Sequence, residues 1–392
     1  MIKSLYKKRK GVIINLSTDK EKMKTLFTFD LKNYGENWKR FRRDSARAII
    51  HVEKDKLALV YAVKLGYYKF PGGGINEGED KIAALLREVQ EEVGLKVIAQ
   101  SVKEYGVAHR LQKSGKEADT VFVQDSFYYE CDVERVNGKL KILKQNLDDY
   151  EDLAGFELRV VSIKEAIEAN QKYRDSNDFN VVMIARDTKV LEGLIEIPSE
   201  PSRCMAELLL KEGAAKNPGP WKEHSYAVAE AAEKLALAVN QNCGKEKMNP
   251  NLAYIYGLLH DIGRQEGFCY IAHVYKGYHF MMAFGYKNVA RICLTHSFQR
   301  HIMDDWFGTV DLPQEKLDEI EKLLGAIQYD DYDRMIQLLD SICAADGTKN
   351  LELRIEDIKA RYGSYPQGKK DKNFELKEYF EKLAGKNIYN VI

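Results

Sequence analysis

Apolar residues recur along the first half of the chain with two different periods. SARAIIHVE (45–53), KLALVYAV (56–63), VFVQDSFYYECDV (121–133) and GFELRVVS (155–162) are dense in β-branched and aromatic residues and predict strands. KIAALLREVQEEV (81–93) and IKEAIEANQKY (163–173) place apolar residues at the helical period, and FNVVMIARDTKVLEGL (179–194) predicts another helix. Strands and helices in this order predict an α+β layer structure over 24–196. IEIPSEPSRC (195–204) carries two prolines among polar residues and reads as a linker. Beyond it the texture changes. Residues 224–239, 252–263, 286–298, 312–327 and 332–345 all repeat at the helical period, with no convincing strand between them. The chain thus divides into an N-terminal extension (1–23), an α+β unit (24–196), a short linker (197–204) and an all-α unit (205–392). At about 100–200 residues per domain, 392 residues accommodate this division.

Composition adds limits. Hydrophobic residues make up 45% and charged residues 31%, the profile of a soluble globular chain. No apolar run approaches the roughly 18 residues of a membrane span, so no membrane partner is expected. The start, MIKSLYKKRKGVIINL, is basic and then only briefly apolar, too short for a signal-peptide core. Six scattered cysteines form no CxxC pair, which favours buried thiols in a reducing compartment and a cytoplasmic location. Sixty basic residues balance sixty acidic ones, so a general nucleic-acid partner is not expected. Two local basic clusters, Lys7–Lys10 and Lys39–Arg43, read as solvated surface or as a positive rim for phosphorylated ligands.

The helix at 81–93 has an odd charge distribution. Ile82, Leu85, Leu86, Val89 and Val93 form its apolar stripe, while Glu88, Glu91 and Glu92 share another face at i, i+3 and i+4. Like charges at that spacing cost roughly 0.2–0.5 kcal/mol per pair. Three consecutive glycines, 72–74, precede the helix, where a backbone can turn sharply or approach a ligand. A divalent cation explains both features: clustered carboxylates suit magnesium or manganese, which would offset the repulsion. Arg87 can pair with Glu91 at i+4. Gly73, five residues, Glu79, seven residues, then Arg87-Glu88-Val89-Gln90-Glu91-Glu92-Val93-Gly94-Leu95 resembles the Nudix box at every fixed position. That resemblance implies a Nudix fold, a mixed sheet between helices, and cleavage of a pyrophosphate in a nucleoside diphosphate derivative. It implies that Glu88, Glu91, Glu92 and the Gly72 carbonyl bind metal and that Glu79 and Arg87 orient them. The general base is not given by the box; Glu117, Asp119 and Glu151 are candidates. Tyr67, Tyr68 and His109 are candidates for stacking on substrate or hydrogen-bonding to it.

Six of the eight histidines follow residue 220. His260-Asp261 ends the apolar run AYIYGLL, and an ionised aspartate there needs a partner because burying an unpaired charge is expensive. Imidazole and carboxylate together suit manganese, iron, cobalt, nickel or zinc. His279 and His301 read as ordinary helix histidines. The motifs PGPWKEHS, GLLHDIGR, HVYKGYHFM and ARICLTHSF, followed by a late helical aspartate, resemble the HD phosphohydrolase superfamily over most of 205–392. The resemblance implies one divalent metal on His224, His260, Asp261 and Asp340, with Asp346 competing for the last place. It implies a second ion if His273 and His296 also ligate, although Thr295-His296 stands where many members have a His-His pair. Arg264 and Lys276 are candidate phosphate ligands. Together the two resemblances imply a metal-dependent hydrolase of small-molecule nucleotides acting on an anhydride and then an ester. The alternatives are a nucleotide sensor, or removal of damaged nucleoside triphosphates by the first unit alone.

Overall fold

The computed structural model describes residues 23–174 and 178–392; the Lys7–Lys10 cluster lies outside them. Two sheets form the α+β unit. In the first, β1 (Thr25–Asp30) runs parallel to β7 (Lys103–Lys113), and β7 pairs antiparallel with β8 (Thr120–Glu130). The far edge of β8 takes β2 (Lys39–Arg42) and β3 (Ser45–Ile49), both parallel to it. In the second, β5 (Lys56–Ala62) pairs antiparallel with β4 (His51–Glu53), β6 (Tyr67–Lys69) and β11 (Phe156–Ser162). A two-residue ribbon, β9 (Arg135–Val136) with β10 (Lys139–Leu140), lies between them in sequence.

α1 (Lys81–Val93) has the bounds its apolar period predicts. Asp80 caps it by accepting from the Ile82 and Ala83 amides, and Gly94 ends it at φ 65°. Its buried stripe of Ala84, Leu85, Val89 and Val93 packs on β3 and β11. α2 (Asp149–Ala154) is a single capped turn before β11; α3 (Ile163–Lys172) and α4 (Asp178–Leu194) pack on each other and on β6.

The remaining chain is a helical unit. Its helices are α5 (Arg203–Lys216), α6 (Trp221–Cys243), α7 (Pro250–Leu259), α8 (Ala272–Phe284), α9 (Lys287–Thr295), α10 (Gln314–Ala326) and α11 (Asp331–Ile342). A two-residue pairing, β12 (Cys343–Ala344) with β13 (Gly347–Thr348), is its small departure from the all-α expectation. α12 (Leu351–Tyr362) and α13 (Gln367–Ala384) complete it, with α13 packed on α6 and α11. None of the described helices is long and apolar enough to cross a membrane.

The two units share one apolar core. α8 packs on β1, with Phe29 stacked on Phe284 at 5.1 Å between ring centres and tilted toward Tyr286 at 6.0 Å. Burying side chains of this size contributes about 1.5–3 kcal/mol each. Beside them, the buried Glu212 carboxylate accepts from Asn33 Nδ2 at 2.9 Å and from Lys113 Nζ at 2.8 Å, joining α5 to the β1–β7 edge.

Candidate active sites

The glycine loop and α1 build the first site. Gly72 has φ +131°, and a Cβ there would stand 2.1 Å from the Ala46 carbonyl oxygen, so only glycine lets the loop lie this close to β3. Arg87 is the hub of the helix face. Its guanidinium donates to both Glu79 oxygens at 2.8 Å, to Glu88 at 2.6 Å, to Glu91 at 3.1 Å and to the Gly74 carbonyl at 3.1 Å. These bonds bring Glu79, Glu88 and Glu91 together, and the bond from Arg87 pulls the Glu79 carboxyl down to about 2.

Glu92 is different. It is buried, ion-paired with buried Lys69, and accepts from the Gly72 amide at 2.9 Å. The three glutamates are therefore not equivalent: in this structure Glu92 braces the glycine loop, and a metal on it would have to displace Lys69. The Gly72 carbonyl accepts from Arg47 Nη1 at 2.7 Å, another partner not read in the sequence. Of the three candidate bases, Glu151 meets Glu92; burial, with the Glu92 charge acting in the same direction, pushes its carboxyl up to about 7. Glu117 and Asp119 lie in the β7–β8 turn.

Tyr67 and Tyr68 are corrected from substrate contacts to core. The short β6 is buried on both faces, which buries both rings, with the Tyr67 hydroxyl 3.3 Å from that of Tyr150 and the Tyr68 ring against Tyr61. His109 is half-buried and held by Asp125 at 2.6 Å.

The helical unit supplies the second site. His224 comes from α6, His260 and Asp261 from the end of α7, His273 from α8, His296 from the end of α9, and Asp340 from α11. They form two trios, His224–His260–Asp340 and Asp261–His273–His296, each with its ligand atoms within 4.8 Å of one another. Among the described residues no other such group was found, including on the glutamate helix. Gly263 lets the doublet reach α8, since a Cβ there would stand 1.9 Å from the His273 carbonyl oxygen.

The second trio calls for a cation. His273 Nδ1 faces the Tyr270 carbonyl and His296 Nδ1 the Ile292 carbonyl. Carbonyls only accept, so both hydrogens sit on Nδ1 and both Nε2 atoms present lone pairs, 3.2 Å apart. Asp261 Oδ1 lies 3.2 Å from the first and 3.7 Å from the second, buried and without a hydrogen-bond partner. Burial pushes His273 well below, and His296 to about 4, so neither supplies the missing proton near neutrality. Burial alone would raise the Asp261 carboxyl, but the Arg264 guanidinium holds it well below the usual carboxylate range. Three facing lone pairs with no proton between them fit a divalent ion.

The first trio brings two imidazoles and a carboxylate together, with Asp340 hydrogen-bonded where Asp261 Oδ1 is not. His260 donates from Nδ1 to the Gly257 carbonyl at 2.7 Å and points Nε2 at His224 Nε2, 3.2 Å away, while Asp340 Oδ1 lies 3.0 Å from His224. Asp340 rather than Asp346 joins it; Asp346 is exposed and paired with Lys349 at 2.7 Å. Arg264 holds Asp261 Oδ2 at 2.6 Å at the cavity wall. Lys276 reaches the Glu266 carbonyl and is not among the cavity-lining residues. His279 pairs with Glu319 and His301 stacks on Tyr329, away from the trios.

Comparison with known proteins finds two domain models on separate parts of the chain. The NUDIX domain model matches residues 41–182, and the HD domain model matches 221–345. None of the curated proteins compared matches the chain. Similar solved structures include the E. coli ORF135 protein, at 20% identity over 41% of this chain and 95% of that one, TM-score 0.25. Others are a NUDIX hydrolase from Nitrosomonas europaea (19% identity, 38% and 91% covered, TM-score 0.23) and a MutT protein from Bacillus halodurans (17%, 32% and 72%, TM-score 0.22). The chain is thus an N-terminal Nudix domain fused to a C-terminal HD domain, both from families of metal-dependent hydrolases.

Proposed function

We propose that this protein hydrolyses nucleotides at two sites in sequence: the Nudix domain cleaves the pyrophosphate of a nucleoside diphosphate derivative, and the HD domain hydrolyses the phosphate ester of the product. The observation that carries the ester-hydrolysis half of this reading is the pair of abutting trios in a cavity of about 830 Å³, within the ordinary range for a small-molecule site, and the Arg87-centred glutamate cluster supports the other half. Magnesium or manganese suits the carboxylates of the Nudix site; manganese, iron, cobalt, nickel or zinc, as one or two ions, suits the imidazoles of the HD site. Bound ions would neutralise phosphate charge and acidify a coordinated water.

The chain's own residues do the rest. Arg87 fixes Glu88 and Glu91, and Glu151 takes a proton from the attacking water. At the HD site Arg264 fixes Asp261. Six free cysteines support a reducing, cytoplasmic setting.

The test is a nucleotide panel followed by phosphate and nucleoside release. Glu91→Gln is expected to stop monophosphate formation, and Asp261→Asn to let the monophosphate accumulate. Each variant leaving the other activity intact on an unrelated substrate sinks sequential action. The Lys69–Glu92 pair favours a second reading, in which the Nudix domain binds nucleotide without turnover and acts as a sensor. Tight binding by titration calorimetry with no product over hours would select it.

A further inference from the structure

The HD cavity has a wall that the matched domain does not supply. Residues beyond 345 build it: α12 contributes Arg354, Arg361 and Tyr362, and α13 contributes Lys369. Lys369 is only 5% exposed. Its ammonium donates to the Ser297 carbonyl at 2.8 Å, one residue beyond His296, and sits over the Phe307 ring at 4.9 Å. Among the described residues it has no carboxylate ion-pair partner; Asp340 and Asp305 act on it only through their fields. An ammonium has three N–H donors, and burying one unpaired costs several kcal/mol. Burial pulls Lys369 down to about 8, which still leaves it mostly cationic near neutrality.

A buried cation without an anion, lining a cavity that also holds metal-ligating trios, is a place for an anion that arrives with the substrate. We propose that Lys369 is a phosphate-contacting residue of the HD site, binding a non-bridging oxygen of the ester's phosphate group. Beside it Phe307 meets Tyr365 at 5.0 Å and Tyr362 at 5.8 Å between ring centres. All three line the cavity and give it an apolar wall suited to a planar base, so the substrate class is a nucleoside phosphate. This rests on the phosphate-ester reading of the site and adds the group that holds the phosphate.

The test uses the full chain loaded with manganese, inorganic phosphate as the probe, and titration calorimetry, metal analysis and thermal melting as readouts. A hydrogen bond to a charged group is worth about tenfold or more in affinity. K369M should therefore bind phosphate at least about tenfold more weakly than wild type. Its metal content should be unchanged and its Tm no lower, because the change removes an unpaired buried charge. K369R should recover part of the affinity. K369M binding phosphate within twofold of wild type overturns the proposal. So does a K369M that loses metal and melts early, which marks a structural lysine, or a wild type that binds no phosphate. Nucleotide turnover separates the two claims. If nucleotides are hydrolysed but K369M binds phosphate normally, the contact falls and the reading of the site stands. If no nucleotide is hydrolysed but K369M still loses phosphate affinity, the contact stands and the hydrolase reading falls.

Discussion

At the scale of single residues, the Nudix site is held by one guanidinium. Arg87 bonds to Glu79, Glu88, Glu91 and the Gly74 carbonyl, and lysine cannot reproduce that fork. Arg87→Lys is expected to lower pyrophosphate cleavage by roughly 10–100-fold, the usual range for a residue that orients metal ligands. Steady-state assays of both activities check this, and an equal loss at the HD site would refute it. Gly72→Ala should act in the same place by another route. Its Cβ would strike the Ala46 carbonyl oxygen, a strain on the order of 1–3 kcal/mol, and Nudix turnover should fall while HD turnover persists. Spacing made these residues legible, because Arg87, Glu88 and Glu91 lie within one helical turn and a half. The partners of Glu92 were not legible. Lys69 is 23 positions earlier on a different element, and only the fold brings the two side chains together. The burial of Tyr67 and Tyr68 is not legible, because their strand is buried on both faces, which alternation alone does not reveal.

At the scale of elements, strongly periodic segments were legible and mixed ones were not. α1 ends where its apolar stripe ends. β7 was missed because KEYGVAHRLQK has charged or polar residues on both faces, and some of them, such as Arg110 and Gln112, turn out to be buried. α13 is rich in lysine, yet its buried stripe is Lys369, Asn373, Leu376, Phe380 and Ala384. The end of α4 carries a pH-dependent load. Burial pushes Glu192 from 4.5 up to about 7, beside a 2.6 Å bond from Ser199. A carboxyl whose folded value is raised adds stability that is full below its unfolded value and is lost as pH rises through the folded one. Between pH 5 and 7.5 the wild type should therefore lose about 2 kcal/mol that Glu192→Gln does not lose. Parallel thermal melts of the two proteins measure this; identical pH slopes would refute it.

At the scale of the whole molecule, the two domains are packed as one body along β1. Phe29 stacks on Phe284, and Glu212 ties Asn33 and Lys113 to α5. A fragment spanning 203–392 would expose Phe284 and Tyr286, which are buried in the full chain. It is expected to melt below the full-length protein and to bind a hydrophobic dye, and a fragment that melts with the parent and binds none would show the interface to be dispensable. The division into two textures was visible in the sequence. The shared core was not, because Phe29 and Phe284 lie 255 positions apart and each fits the apolar pattern of its own element.

The facing lone pairs of His273, His296 and Asp261 also bear on how the fold responds to its surroundings. An ion that binds only the native state adds RT ln(1 + [M]/Kd) to stability, about 2.7 kcal/mol at a hundredfold excess over Kd. Chelation should accordingly lower Tm, and manganese or zinc should restore it in proportion to the logarithm of free ion. The folded fraction of the whole molecule then becomes a gauge of metal supply, and the anchorage that the HD domain provides to the Nudix sheet rises and falls with it.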